Sequence, residues 1–430
     1  MRGTSVLGLL MVGCRGPVEI ERPDDEVLVD TTPDTVDTGE TDTTDTTDTT
    51  DTEPDTINGE GNPPDETDGP GAWLFDETTI HEVSITISGE SWTALKQDPR
   101  EYAPVTLSIN DKTDLSVAIK LKGNTQFRPI DEKPSMVIDF NRVVKDQELD
   151  GISSVYLHNM VYDPSMMHEH FAYRFFRTVG VPASRTAYAH LTVNGENYGL
   201  FLFVEKQNKV YRERWWGDAD GSMFEAGSFN WSCDLDQDCT CYEVDELAEG
   251  GEAALLELCD AVTTWNEDWL EEARARLDWD RFIDATAAEM VISHYDNYGW
   301  NINNYRLYHD PTADEWSFTP WSTDLSFGWY PWSGNPHCGE YGQSPREYDG
   351  GYLVRRCWDN AECTAELEAS ILEQAAVLES MVMAEEIDVT YAMISGVIAE
   401  DTKREYNDWW LEKEVDCMRT WVEDRPSVFE

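Results

Sequence analysis

Between Val83 and Val204 apolar residues recur at every second position in short runs, and past Cys233 they recur at helical spacing. That change of period limits the chain to a β-rich first half and a helical second half. Val83–Ile87 and Val105–Ile109 alternate as half-buried strands do, and Val117–Lys122 sets Val117, Ile119 and Leu121 on one face and Lys120 and Lys122 on the other. Met136, Ile138 and Phe140 form the next row, and a helix is predicted from Ser165 to Thr178, entered at Asp163-Pro164-Ser165 and stopped near Gly180. Leu191 and Val193, the turn Asn194-Gly195 and Leu200–Val204 read as a hairpin. Helices follow near Glu252–Thr263, Trp279–His294, Ala365–Ala384 and Asp401–Val422, interrupted by a strand pair, Tyr305–Tyr308 and Trp316–Thr319. The expectation is an α+β, two-lobed fold over residues 73–429.

Residues 19–72 do not belong to that pattern. Glu19 to Asp68 holds 19 acidic residues against one base, Arg22, within a chain of net charge −55. With almost no apolar content, such a segment cannot offset its ordering entropy, and charge repulsion keeps it extended. The Asp-Thr-Thr repeats of Thr41–Thr52 make it an acidic linker. The rest is acidic as well, which disfavours nucleic-acid or anionic-membrane binding.

The first 18 residues read as an export signal: Arg2, an apolar run from Ser5 to Val12, then Met11-Val12-Gly13-Cys14, which resembles a bacterial lipobox. Cys14 is the expected lipidation site, making the chain an exported, membrane-anchored lipoprotein at the cell surface or in the periplasm. Apart from Cys14, eight of the nine cysteines lie after residue 230, an even number suited to four disulfides in an oxidising compartment. Zinc at Cys239-Thr240-Cys241 lacks a second ligand pair at the right spacing, and Asp234-x-Asp236-x-Asp238 lacks the glycine of a calcium loop.

Two stretches can carry chemistry. His294-Tyr295-Asp296-Asn297-Tyr298-Gly299-Trp300-Asn301-Ile302-Asn303-Asn304 follows a helix and supplies one carboxylate with several carboxamides. Pro320-Trp321-Ser322-Thr323-Asp324-Leu325-Ser326-Phe327-Gly328 brings a second carboxylate off a strand. Carboxylates bracketing a hairpin can face one cleft, as phosphoryl transfer needs: one orients the attacking hydroxyl, the other helps hold divalent metal on the phosphates. Asp296 and Asn301 have the His-x-Asp-x4-Asn spacing of a kinase catalytic loop. Either Asp could equally serve a helix cap or turn. Bases are scarce, so Lys120–Lys133 is one of few places able to attract a nucleotide triphosphate. Lys122 is the first candidate there, with Lys120, Arg128 and Lys133 as rivals.

Five blocks in order resemble the CotH-type spore-coat kinase family. Lys120-Leu-Lys122-Gly123-Asn124-Thr125-Gln126-Phe127-Arg128 with Lys133-Pro134-Ser135 is similar to its Lys-Gly-Asn-x-Ser…Lys-Pro-Ser pattern. Asp163-Pro164-Ser165 with Gly180-Val181-Pro182, and Asn194-Gly195…Tyr198-Gly199-Leu200…Glu205, match the next two. Asp296…Asn303-Asn304-Tyr305-x-Leu307-Tyr308 and Pro320-Trp321…Asp324…Phe327-Gly328 complete the set.

The resemblance implies a diverged kinase-like fold and transfer of phosphate from ATP, with Mg or Mn, to Ser or Thr of secreted or surface proteins. By it Asp296 is the catalytic carboxylate, and Asp324, Asn301 and Asn304 are metal ligands. Lys122, Lys133, Arg128 and Glu205 are nucleotide-site residues, Glu205 as the partner of the lysine. Many members carry two Asp in the last block, where this chain has Ser322 before Asp324. A catalytically silent binding module and an AMP-transferring enzyme are the competing readings.

Overall fold

A computed structural model describes residues 68–226, 233–236, 239–263, 268–331 and 344–429, all within the unit Thr56–Glu430. The signal, Cys14, the Asp/Thr repeats, Asp238 and Cys338 lie outside the described residues.

The first half is a closed barrel of seven strands. These are β1 (Ile80–Thr86), β2 (Ala103–Ile109), β3 (Lys112–Lys122), β4 (Ser135–Asp139), β5 (Ser154–His158), β6 (Thr186–Val193) and β7 (Glu196–Glu205). Their order is β1-β2-β3-β4-β5-β7-β6, antiparallel throughout except for the parallel β1–β6 pair that closes it. Inward residues of the predicted rows fill the barrel: Val83, Ile85, Leu107, Ile109, Val117, Ile119, Leu121, Met136 and Ile138 are all buried. Helix α1 (Gly89–Gln97) lies between β1 and β2, and α2 (His168–Thr178) between β5 and β6. Pro70 and Gly71 already belong to this half, because the Pro70 carbonyl accepts from Arg185 and the Gly71 amide donates to Asp150.

After α3 (Lys209–Trp216) comes a four-stranded antiparallel sheet of β8 (Met223–Glu225), β9 (Glu243–Glu246), β10 (Tyr305–Asp310) and β11 (Glu315–Pro320), in the order β11-β10-β8-β9. The helices are α4 (Gly251–Val262), α5 (Trp269–Arg274), α6 (Trp279–Val291), α7 (Tyr298–Asn301), α8 (Tyr352–Trp358), α9 (Ala361–Ser380), α10 (Met383–Glu400) and α11 (Asp408–Asp424). The fold is thus mixed α+β, β-rich first and helical second. No described helix is long and apolar enough to cross a membrane. Disulfides join Cys233 to Cys241, Cys239 to Cys259 and Cys357 to Cys363, and Cys417 is disulfide-bonded too. The cysteines of the zinc alternative are therefore committed to sulfur–sulfur bonds.

Two expected helices differ. The one foreseen from Ser165 starts at His168, because Asp163 turns the chain, its carboxylate accepting from the Ser165 and His168 amides. The helix foreseen from Asp401 starts at Asp408, where Asn407 caps it by accepting from the Trp410 amide, and Asp401 instead ends α10.

Candidate functional site

The β10–β11 hairpin brings the two carboxylate-bearing loops together. Tyr305 stands opposite Pro320, so the chain enters β10 and leaves β11 side by side. Backbone hydrogen bonds then lock the flanks: Trp321 to Asn304 (2.9 Å), Tyr295 to Leu325 (3.0 Å) and Phe327 to Ile292 (2.6 Å). Ser293, Ile302, Asn304, Ser322 and Phe327 all hold positive φ, between 49° and 56°. Left-handed backbone at a β-branched residue such as Ile302 costs on the order of 1–3 kcal/mol, and the surrounding bonds hold that strain in place.

Asp296 is neither a cap nor an ordinary turn residue. Asn297 caps α7 by accepting from the Trp300 amide. The Asp296 carboxylate receives the side-chain amides of Asn301 (2.9 Å), Asn303 (3.3 Å) and Asn304 (2.8 Å). Burial raises its pKa, while the three amides oppose that shift. Fixing the asparagines through their NH2 groups leaves their carboxamide oxygens to act as acceptors.

Asp324 is 7% exposed and accepts from Gln126 Nε2 at 2.6 Å on one oxygen and from Ser322 Oγ at 3.3 Å on the other. Burial pushes its carboxyl up to about 7, with Glu169 and Asp296 adding like-charge repulsion. Gln126 sits in the loop after β3, so the barrel half reaches the second carboxylate directly.

Lys122, the last residue of β3, approaches the same place. Its ammonium lies 2.6 Å from His158 Nε2 and over the rings of Tyr156 (4.6 Å) and Trp321 (4.8 Å). Burial lowers it to about 8, against the pull of Glu169, Glu225 and Asp324. Arg306 of β10 covers the Trp321 ring at 4.1 Å and pairs with Glu225 and Asp245.

Other expected residues stand elsewhere. Glu205 does not meet Lys122: it is buried against Arg185 and Arg214, which hold its carboxyl down at about 2 although burial alone would raise it. Lys133 is buried against Asp401. Arg128 hydrogen-bonds Glu405 and lies over the Tyr162 ring. His294 is buried, and burial pushes it down to about 3, so it stays neutral. Asp234 is turned inward to the Tyr298 hydroxyl and the Tyr352 amide, and Asp236 pairs with Arg355, which removes two ligands from the calcium alternative. Sequence reasoning gave no role to Gln126, although it lies in the first of the five blocks, and passed over His158, Glu169 and Arg306, none of which stands in a recognisable catalytic spacing.

The donor set at Asp296 and Asp324 is all oxygen: two carboxylates and the carboxamide oxygens of Asn301 and Asn304. Such a set suits a hard divalent cation such as Mg or Mn. Burial first, and then repulsion from Glu169 and Asp296, raises Asp324, and a cation there would offset both. Among the described residues no three His, Cys, Asp or Glu side chains group into a site, so a metal would draw its other ligands from carboxamides, phosphate and water.

Residues 119–429 match the family described as CotH kinase protein. The chain is 23% identical over 236 residues to the inner spore coat protein H of Bacillus subtilis (strain 168), covering 52% of this chain and 62% of that protein. It is 37% identical over 60 residues to the same organism's inner spore coat protein H-like protein, covering 14% of this chain and 20% of the relative. The chain thus spans less than two thirds of the curated relatives it matches. Among solved structures, the Helicobacter pylori proinflammatory kinase CtkA aligns over 72% of this chain and 90% of its own at 9% identity and a TM-score of 0.33, too loose a likeness to argue from. The family match extends over most of the chain, from β3 to the last residues after α11, and so the chain belongs to the CotH kinase family.

Proposed function

We propose that the chain is an exported atypical protein kinase, transferring the terminal phosphate of ATP to Ser or Thr hydroxyls of secreted or surface proteins. The two halves are then the lobes of a diverged kinase-like fold. The observation that carries this reading is the convergence of a barrel-borne ammonium, Lys122, which lies over the Trp321 ring, with two carboxylates from the second half: buried Asp324, reached by Gln126 from the loop after β3, and half-buried Asp296, whose loop is bonded to Trp321 through Asn304.

Each residue has one task. Lys122 neutralises the nucleotide's phosphates from the barrel side, taking over the role the sequence left open among several bases. Asp324, together with the Asn301 and Asn304 carboxamide oxygens, would hold Mg or Mn, whose charge would offset that of the phosphates. Asp296 accepts a hydrogen bond from the substrate hydroxyl and aligns its oxygen on the terminal phosphorus. The new phosphorus–oxygen bond forms as the bond to the bridging oxygen of ADP breaks, and the hydroxyl proton passes to Asp296. The lipobox-like Met11–Cys14 stretch and the disulfides agree with export and a lipid anchor.

The purified protein should pass label from γ-labelled ATP to a protein acceptor in the presence of Mg or Mn. Label arriving from α-labelled ATP instead would mean adenylate transfer, and nucleotide binding with no transfer would mean a binding module.

A further inference from the structure

Lys122 and the α2 carboxylate of Glu169 do not touch. His158, at the end of β5, lies between them: Nε2 is 2.6 Å from Lys122 Nζ, and Nδ1 is 2.9 Å from each oxygen of Glu169. The hydrogen positions follow from chemistry. An ammonium only donates, so Nε2 must be the acceptor, which places the ring's proton on Nδ1, facing the carboxylate. His158 and Glu169 are withdrawn from solvent, 8% and 4% exposed, and Lys122 is half-buried. The Tyr156 and Trp321 rings, 5.7 Å and 5.8 Å from the imidazole, also flank the ammonium, so the same two aromatic side chains border both groups. One Lys122 N–H is spent on Nε2, and an ammonium has two more to offer a phosphate.

We propose that His158 is a positioning residue of the nucleotide site: a neutral bridge that connects the Glu169 carboxylate on α2 to the Lys122 ammonium and so fixes where Lys122 meets the phosphates. The inference rests on the reading of Lys122 as phosphate ligand. It gives α2 a means of setting the lysine, because any movement of the helix carries Glu169 with it and the bridge transmits that movement to β3.

The test is Mg–ADP binding by calorimetry on the full chain, with melting temperature recorded for each variant. His158→Leu, which keeps bulk and loses both nitrogens, should weaken binding about tenfold or more. His158→Gln offers an acceptor at the reach of Nε2 and a donor on the same amide, and should recover at least half of that loss on a logarithmic scale. The deciding comparison is a double-mutant cycle. In a Lys122→Met background, His158→Leu should cause no further loss, because the bridge acts only through the ammonium. Glu169→Gln serves in the same cycle if the Leu variant does not fold. Additive losses, or a Leu variant binding as the wild type does, would overturn the bridge while leaving the nucleotide site standing. A wild type that binds no Mg–nucleotide would overturn the site and the bridge together.

Discussion

The Lys133 ammonium is buried against the Asp401 carboxylate, the lysine side chain 2% and the aspartate 0% exposed. The same carboxylate accepts from the Leu200 amide (3.3 Å) and, on its other oxygen, from the Lys403 amide (2.9 Å). Gly199 is part of the arrangement, because a Cβ there would come within 1.9 Å of the Asp401 carboxyl carbon. This pair therefore pins the segment after α10 to the barrel, and burial lowers the Lys133 pKa against the pull of Asp401.

Lys133→Met should consequently cost stability, with little effect on nucleotide affinity. Removing one partner of a buried pair leaves the other charge uncompensated and typically costs about 3–5 kcal/mol. Urea unfolding with and without Mg–ADP separates the effects. A variant as stable as wild type that binds nucleotide poorly would restore Lys133 to the phosphate site.

A buried histidine between two carboxylates gives the protein an alkaline limit. His168 sits with Nδ1 2.7 Å from Asp163 Oδ1 and Nε2 3.4 Å from Glu414 Oε1. Burial disfavours its charge, but Asp163 and then Glu414 outweigh that and lift it to about 10, from 6.5 for a free histidine. A folded pKa above the unfolded one gives stabilisation that is complete below about 6.5 and disappears as pH rises through 10. Unfolding free energy should therefore fall from pH 7 to 10 more steeply in the wild type than in His168→Gln. Parallel slopes in the two proteins would show that His168 is neutral.

Asp296 and its three asparagines predict a split between turnover and affinity. Asp296→Asn keeps the shape but removes the acceptor for the hydroxyl proton, so kcat should fall by about two orders of magnitude. KM for ATP should stay within about threefold of wild type, because the proposed role sets Asp296 on the acceptor hydroxyl and not on the phosphates. An equal rise in KM with kcat intact would place Asp296 in ground-state binding.

What the sequence disclosed follows burial. Strands with one buried face, such as β1 and β2, alternate and were legible; β5 is buried at all five positions and shows no alternation. Helix α10 was missed because two residues separate it from α9 and its start, at Val382 with φ 48°, carries no side-chain cap. At the site, Asp296, Asp324 and Lys122 could be picked out because the hairpin and strand ends that present them are local features. His158 and Glu169 could not, since they meet only where α2 packs against the barrel wall. The family resemblance made Glu205 the lysine's partner, but Arg185 and Arg214, 20 residues before it and 9 after, claim it.

If Asp324 holds the metal through which nucleotide binds, ADP affinity with and without Mg, or Mn, in the wild type and in Asp324→Ala will show it. The wild type should bind ADP about tenfold or more tightly with metal, while Asp324→Ala, folded by its melting temperature, should show the weaker metal-free affinity under both conditions and no transfer from ATP. Metal-dependent binding that survives unchanged in Asp324→Ala would show that Asp324 does not hold the metal.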